Sequence, residues 1–105
     1  MNHQSNKVLL RINVYSDSRY KGLPLYEQIV LKVKKLGLAG ATVIRGMMGF
    51  IGEDRIHKPK MMSLTESLPV TIEVVDTQEN INKILPFLDG AVQQGLVLLS
   101  PVVKR

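Results

Sequence analysis

Lys7-Val8-Leu9-Leu10-Arg11-Ile12-Asn13-Val14-Tyr15 is the stretch that decides the fold. Val8, Leu10, Ile12 and Val14 fall on one side; Leu9, Arg11, Asn13 and Tyr15 fall on the other. A period of two, with one apolar set and one mixed set, predicts a strand covered by a core on one face. Residues 69–75 read the same way: Val70, Ile72 and Val74 share a face, opposite Thr71, Glu73 and Val75. Two such strands need an apolar layer on one side, and the segments between them supply it.

Leu25, Tyr26, Ile29, Val30, Val33 and Leu36 recur at helical spacing. Pro24 suits the first turn, Glu27 the positive end of the dipole, and Gly37 the C-terminal cap. A second stripe holds Ile81, Ile84, Leu85, Leu88 and Val92. Pro86 falls inside it and should kink this helix or end its first half. Asp76 and Glu79 have capping-box spacing before it, and Gly95 ends it. Residues 16–22 are polar and close the first strand. Residues 40–46 read as a short second strand and residues 96–103 as a fourth, with 46–68 lacking any period.

The order is βαββαβ. It predicts an α+β, ferredoxin-like sandwich: a four-stranded antiparallel sheet with two helices on one face. Strands one and three should be central. Pro101 agrees with an edge position for strand four, because proline cannot donate to a ladder. Leu96, Val97, Leu98 and Leu99 make that strand apolar on both faces, and two helices cover only one. With Leu9, Tyr15 and Val75 on the open side, the pattern predicts a homo-oligomer that covers this face.

The chain of 105 residues fits one domain, 1–105. It has no cysteine, which excludes disulfides, thiolate metal sites and a cysteine nucleophile. No apolar run approaches the ~20 residues of a membrane span, and the polar start, residues 1–6, reads as disordered with no signal core. A cytoplasmic protein is expected. The net charge of +5 suits an anionic partner or simply solubility, and both readings stay open. Aromatics make up 5% with no Trp, so nucleic acid is not the expected partner.

Catalytic signals are absent. His57 has no second histidine near it, only Glu53 and Asp54 upstream, and no Gly-x-Ser-x-Gly, Walker or Rossmann pattern occurs. No enzyme, no catalytic residue and no metal site are expected. The function is sought in residues 46–68, since loops beyond about 15 residues are uncommon in compact domains. Gly46, Gly49 and Gly52 recur there, with Arg45, Arg55, Lys58 and Lys60 alongside. Glycines expose backbone amides and the cations add charge, so a small anion suits the set. The alternative is a solvated flexible loop. Met47, Met48, Met61 and Met62 flank it as apolar pairs. Arg19-Tyr20-Lys21-Gly22 forms a second polar cluster before the first helix, and Arg11 with Glu73 reads as a structural ion pair.

Residues 18–27, 37–46, 49–52 with His57, and 68–76 resemble the PII-like family called domain of unknown function 190, over about residues 7–103. The resemblance implies a trimer of ferredoxin-like domains with the sheets packed inward. It also implies that residues 46–68 are a T-loop-like element that senses small effectors and engages partners such as membrane transporters. Effectors in the wider group are often adenine nucleotides, held in clefts between subunits. The ligand site so implied is Arg45, Gly46, Gly49, Phe50, Gly52, Arg55 and His57, with Arg19 and Tyr20 from a further matching motif. The chain departs from ATP-binding PII proteins in one place: Val92-Gln93-Gln94-Gly95-Leu96 leaves only a tight turn where their phosphate loop lies. No tyrosine occurs within residues 46–68 to be uridylylated. Three readings follow: an effector sensor, a ligand-free docking module, and a small enzyme or metal-binding trimer built around His57.

Overall fold

The structure is a computed structural model that describes residues 7–52, 56–58 and 67–105. The expectation for residues 1–6 lies outside these residues. Along the chain come β1 (Lys7–Tyr15), β2 (Arg19–Tyr20), β3 (Leu23–Pro24), α1 (Leu25–Lys35), β4 (Thr42–Arg45), β5 (Pro69–Thr77), α2 (Gln78–Asn82), α3 (Leu85–Ala91) and β6 (Leu96–Val102). The main sheet has the order β4-β5-β1-β6 and is antiparallel throughout. The expected ferredoxin-like arrangement, with β1 and β5 central, is what forms.

Alternation fixes the layers. Val8, Leu10, Ile12 and Val14 of β1 join Val70, Ile72 and Val74 of β5 in one core with Ile29, Val33, Ile81, Ile84 and Leu88 from the helices. Each large aliphatic side chain moved from water into that core contributes about 2 kcal/mol. On the opposite face Arg11 stands across from Glu73, and its Nη2 lies 2.8 Å from the carboxylate. This is the ion pair the sequence indicates. It is part-exposed, so its contribution is at most about 1 kcal/mol.

Several local features differ from the sequence reading. Residues 16–24 hold a small hairpin, β2 with β3, turned by Lys21 at φ 51° and Gly22 at φ 81°. Pro24 is the N-cap of α1, one place before the expected first turn. The second helix is two short ones, in keeping with the break expected at Pro86. Lys83 and Ile84 donate to Asn80 and Ile81, a tightened turn that ends α2, and Pro86 stands in the first turn of α3, where its missing N–H leaves no bond unmade. Gly95 then passes so close to β1 that a Cβ there would lie 2.5 Å from the carbonyl oxygen of Asn13. The turn into β6 is therefore tight, as the sequence indicates.

The capping-box reading of Asp76 is corrected. Thr77 is the N-cap, its Oγ1 accepting from Asn80 N–H at 3.1 Å. Asp76 is buried and ties three segments: it accepts from Ala39 N–H at 2.8 Å, Thr77 N–H at 2.7 Å and Asn80 Nδ2 at 2.9 Å. Burial pushes its pKa up. The hydrogen bonds from the Asn80 side chain, Thr77 and Ala39, with the charge of Lys7, outweigh that and hold it below the ordinary carboxylate value.

Strand β6 carries its apolar residues uncovered on both faces. Leu96 and Leu98 share the face of Asn13 and Arg11; Val97 and Leu99 share that of Ile12 and Leu10. All four are between 39% and 47% exposed.

A depressed carboxylate stabilises the fold above its unfolded pKa, and that contribution is lost as pH falls through the folded value. Asp76→Ala should therefore lower stability by about 2–3 kcal/mol at neutral pH, since it also orphans the Ala39 N–H. In urea unfolding, its difference from the wild type should shrink as pH falls below the ordinary carboxylate range, and Asp76→Asn should lose less at neutral pH.

Candidate ligand site at the base of the long loop

The chain leaves β1 at Tyr15 and turns at once. Ser18 N–H donates to Tyr15 O at 3.1 Å, and Leu25 N–H donates to Ser18 O at 2.8 Å, so the β2–β3 hairpin is folded back onto the start of α1. This brings Arg19 to the end of the sheet where β4 finishes in Arg45. Between them lies a cavity of about 420 Å³ lined by Ser16, Asp17, Arg19, Tyr26, Val43, Arg45 and Val70. That volume suits a small molecule. Arg19 is steadied by a bond from Nη1 to Gly22 O at 3.0 Å. Two planar guanidinium groups among the lining residues match a carboxylate, bicarbonate or phosphate, while the Asp17 carboxylate moderates the field.

The loop's base lies on the open face of the sheet beside this cavity. Gly46 N–H donates to Pro69 O at 2.7 Å, and a Cβ at Gly46 would come within 3.0 Å of that oxygen. Gly49 and His57 form a two-bond bridge, at 2.8 and 2.7 Å. The His57 ring stacks on Tyr15 with centroids 4.1 Å apart, and its Nδ1 lies 2.9 Å from Ser67 O. A carbonyl only accepts, so Nδ1 carries the proton. Tyr15 Oη accepts from Ile51 N–H at 2.8 Å. Ser16 N–H donates to Leu68 O at 2.8 Å, and Leu68 N–H returns a bond to Ser16 Oγ at 3.0 Å. Ser67 Oγ donates to Asp17 Oδ1 at 2.7 Å.

Tyr15 is thus not part of an uncovered face. It is only 4% exposed, because the chain's own loop covers it. That corrects its place in the sequence reading, while Val75, on the same side and 43% exposed, stays uncovered.

Of the residues the sequence singles out, Arg19 and Arg45 both line the cavity. Gly46 adjoins Arg45. Gly49, Gly52 and His57 shape the loop's base and do not line the cavity. Phe50 is exposed beside Met47 and Met48. Tyr20 packs edge-on against Phe87, with centroids 5.5 Å apart, and holds the hairpin to α3. Arg55 lies outside the described residues, as do Lys60, Met61 and Met62. Sequence reasoning missed Ser16, Asp17 and Tyr26. Their only signal was position, directly after β1 and at the start of α1. Among the described residues, no group of three or more acidic or histidine side chains could hold a metal ion.

The model of the family described as uncharacterized ACR, DUF190, matches residues 7–103. A UPF0166 protein of Aquifex aeolicus is 38% identical over 96 residues, which cover 91% of this chain and 90% of that protein. A UPF0166 protein of Methanocaldococcus jannaschii is 33% identical over 93 residues, covering 88% and 85%. Among solved structures, this chain is similar to CPII of Thiomonas intermedia K12, a nitrogen regulatory PII-like protein bound to ADP, AMP and bicarbonate. The TM-score is 0.62 at 16% identity, covering 90% of this chain and 83% of that one. It is also similar to a Thermus thermophilus protein described as PII-like signaling, with a TM-score of 0.58 at 21% identity, covering 92% and 89%. At these identities the likeness is one of fold.

Tyr15→Phe removes the acceptor of the buried Ile51 N–H and keeps the ring. Stability should fall by about 1 kcal/mol, and amide exchange should quicken at Ile51 while the core amides of β1 stay protected.

Proposed function

The chain belongs to the domain of unknown function 190 family, and on that footing we propose that it is a PII-like regulatory protein. It binds a small anionic effector at the Arg19–Arg45 cavity and regulates a partner protein through the loop of residues 46–68. The observation that carries this is a cavity lined by two arginines and by Ser16 and Asp17, which are themselves bonded to the loop's returning end. An adenine nucleotide is the effector favoured, since the PII-like CPII structure holds ADP and AMP, and bicarbonate is the next choice. The role is one of binding rather than catalysis.

The protein is proposed to act as a homotrimer in the cytoplasm. The uncovered apolar residues of β6 support self-association, and β4 leaves the cavity at a sheet edge where a neighbouring subunit can complete it. No helix among the described residues is long and apolar enough to cross a membrane. A second reading is favoured by Met47, Met48, Phe50 and Ile56, all exposed: an adaptable apolar surface that docks on a partner, such as a membrane transporter, without any ligand.

ADP, AMP or bicarbonate at a hundred times its dissociation constant should stabilise the protein by about 2.7 kcal/mol, raising the melting temperature by roughly 10 °C. Arg45→Glu should abolish that shift, read against the variant's own unliganded midpoint. No shift with any of the three would leave the docking reading in its place. Sedimentation should give three times the chain mass at micromolar concentration, and a monomer mass would end the trimer proposal.

A further inference from the structure

Asp17 occupies an odd position for a residue in an anion site. It lines the cavity with Arg19 and Arg45, yet it carries the same charge as the ligand those arginines would bind. Its Oδ1 is also the acceptor for Ser67 Oγ at 2.7 Å. Ser67 in turn presents its carbonyl to His57 Nδ1 at 2.9 Å, and the next residue, Leu68, is doubly bonded to Ser16. One carboxylate therefore faces the ligand on one side and holds the loop's return on the other.

We propose that Asp17 is the coupling residue of this site: occupancy of the cavity by an anion and the Asp17–Ser67 bond oppose each other. The inference rests on the reading of the cavity as an anion site. An anion seated on Arg19 and Arg45 repels the carboxylate beside it. Asp17 either stays and weakens binding, or turns away and releases Ser67. The released segment is the one that positions His57 against Tyr15, so the signal reaches the Gly49–His57 bridge through contacts already described. The alternative is that Asp17 and Ser67 form only a surface hydrogen bond that steadies a turn. In that case occupancy and bond would be independent.

Reciprocity fixes what each variant should do. Ser67→Ala removes the bond that ligand must break, so it should bind more tightly. Asp17 is solvent-exposed, which limits the effect to about three- to tenfold in affinity. Asp17→Asn keeps an acceptor for Ser67 and removes the repulsion. It should bind the anion more tightly too, and its loop should stay in place on binding.

The test is titration of the full-length wild type, Ser67→Ala and Asp17→Asn with ADP, AMP, bicarbonate and inorganic phosphate, each followed by calorimetry and by amide exchange at His57 and Leu68. The expected result has three parts. Ligand quickens exchange at both amides in the wild type. In Ser67→Ala exchange is already quick, and affinity is three- to tenfold higher. In Asp17→Asn affinity rises while exchange stays slow with ligand present. Equal affinity in all three proteins, with exchange unmoved by a ligand that does bind, overturns the coupling and leaves the anion site standing. Failure of all four probes to bind the wild type overturns the anion site itself, and the coupling with it. If Ser67→Ala proves unfolded, Asp17→Asn decides alone: unchanged affinity, or exchange that quickens as in the wild type, overturns the proposal.

Discussion

Strands β1 and β5 pair residue for residue, from Lys7 opposite Thr77 to Tyr15 opposite Pro69. Each strand alternates, and a slip by one position would turn every core side chain of one of them out to solvent. That register is the constraint on which the rest of the molecule depends. It sets Arg11 opposite Glu73 and Val8 opposite Asp76. It also sets Tyr15 opposite Pro69, so the chain leaves the core on β1 at the point where it re-enters on β5. The cavity and the loop's base are built at that meeting point.

The meeting of exit and return explains why so few residues carry so many contacts there. Tyr15 is the last residue of β1, the platform for His57 and the acceptor for Ile51. Ser16 and Asp17 follow it directly and reach across to Leu68 and Ser67. None of these bonds is large alone, each being of the order of 1 kcal/mol. Their value lies in joining the hairpin, the sheet and the loop within a few residues, so a change in one segment is felt in the others.

The sheet and its order were legible because β1, β5 and α1 are long enough for their periods to show. Val8 to Val14 and Val70 to Val74 state their layer without help from context. The β2–β3 hairpin was not legible: strands of two residues have no period, and Arg19-Tyr20-Lys21-Gly22 reads as a polar turn. Asp76 misled because its spacing to Glu79 imitates a cap, whereas its partner Ala39 lies 37 positions away in sequence. Tyr15 looked like an open-face residue since alternation reports the side of a strand and not what returns to cover it. Of the site, Arg19 and Arg45 were legible as cations in family motifs. Asp17 was not, as nothing in its neighbours marks a carboxylate that belongs to a distant serine.

Asp76 and Ala39 sit at one end of β1, beside Val8; the cavity, the hairpin and the loop's base sit at the other. The nine residues of β1 separate the two ends by roughly 27 Å. Substitutions that far apart, with no shared partner, act on stability independently. The molecule is therefore divided lengthwise: substitutions around Arg19 and Arg45 can reshape the cavity without disturbing the buried carboxylate that ties Ala39, Thr77 and Asn80 together at the far end.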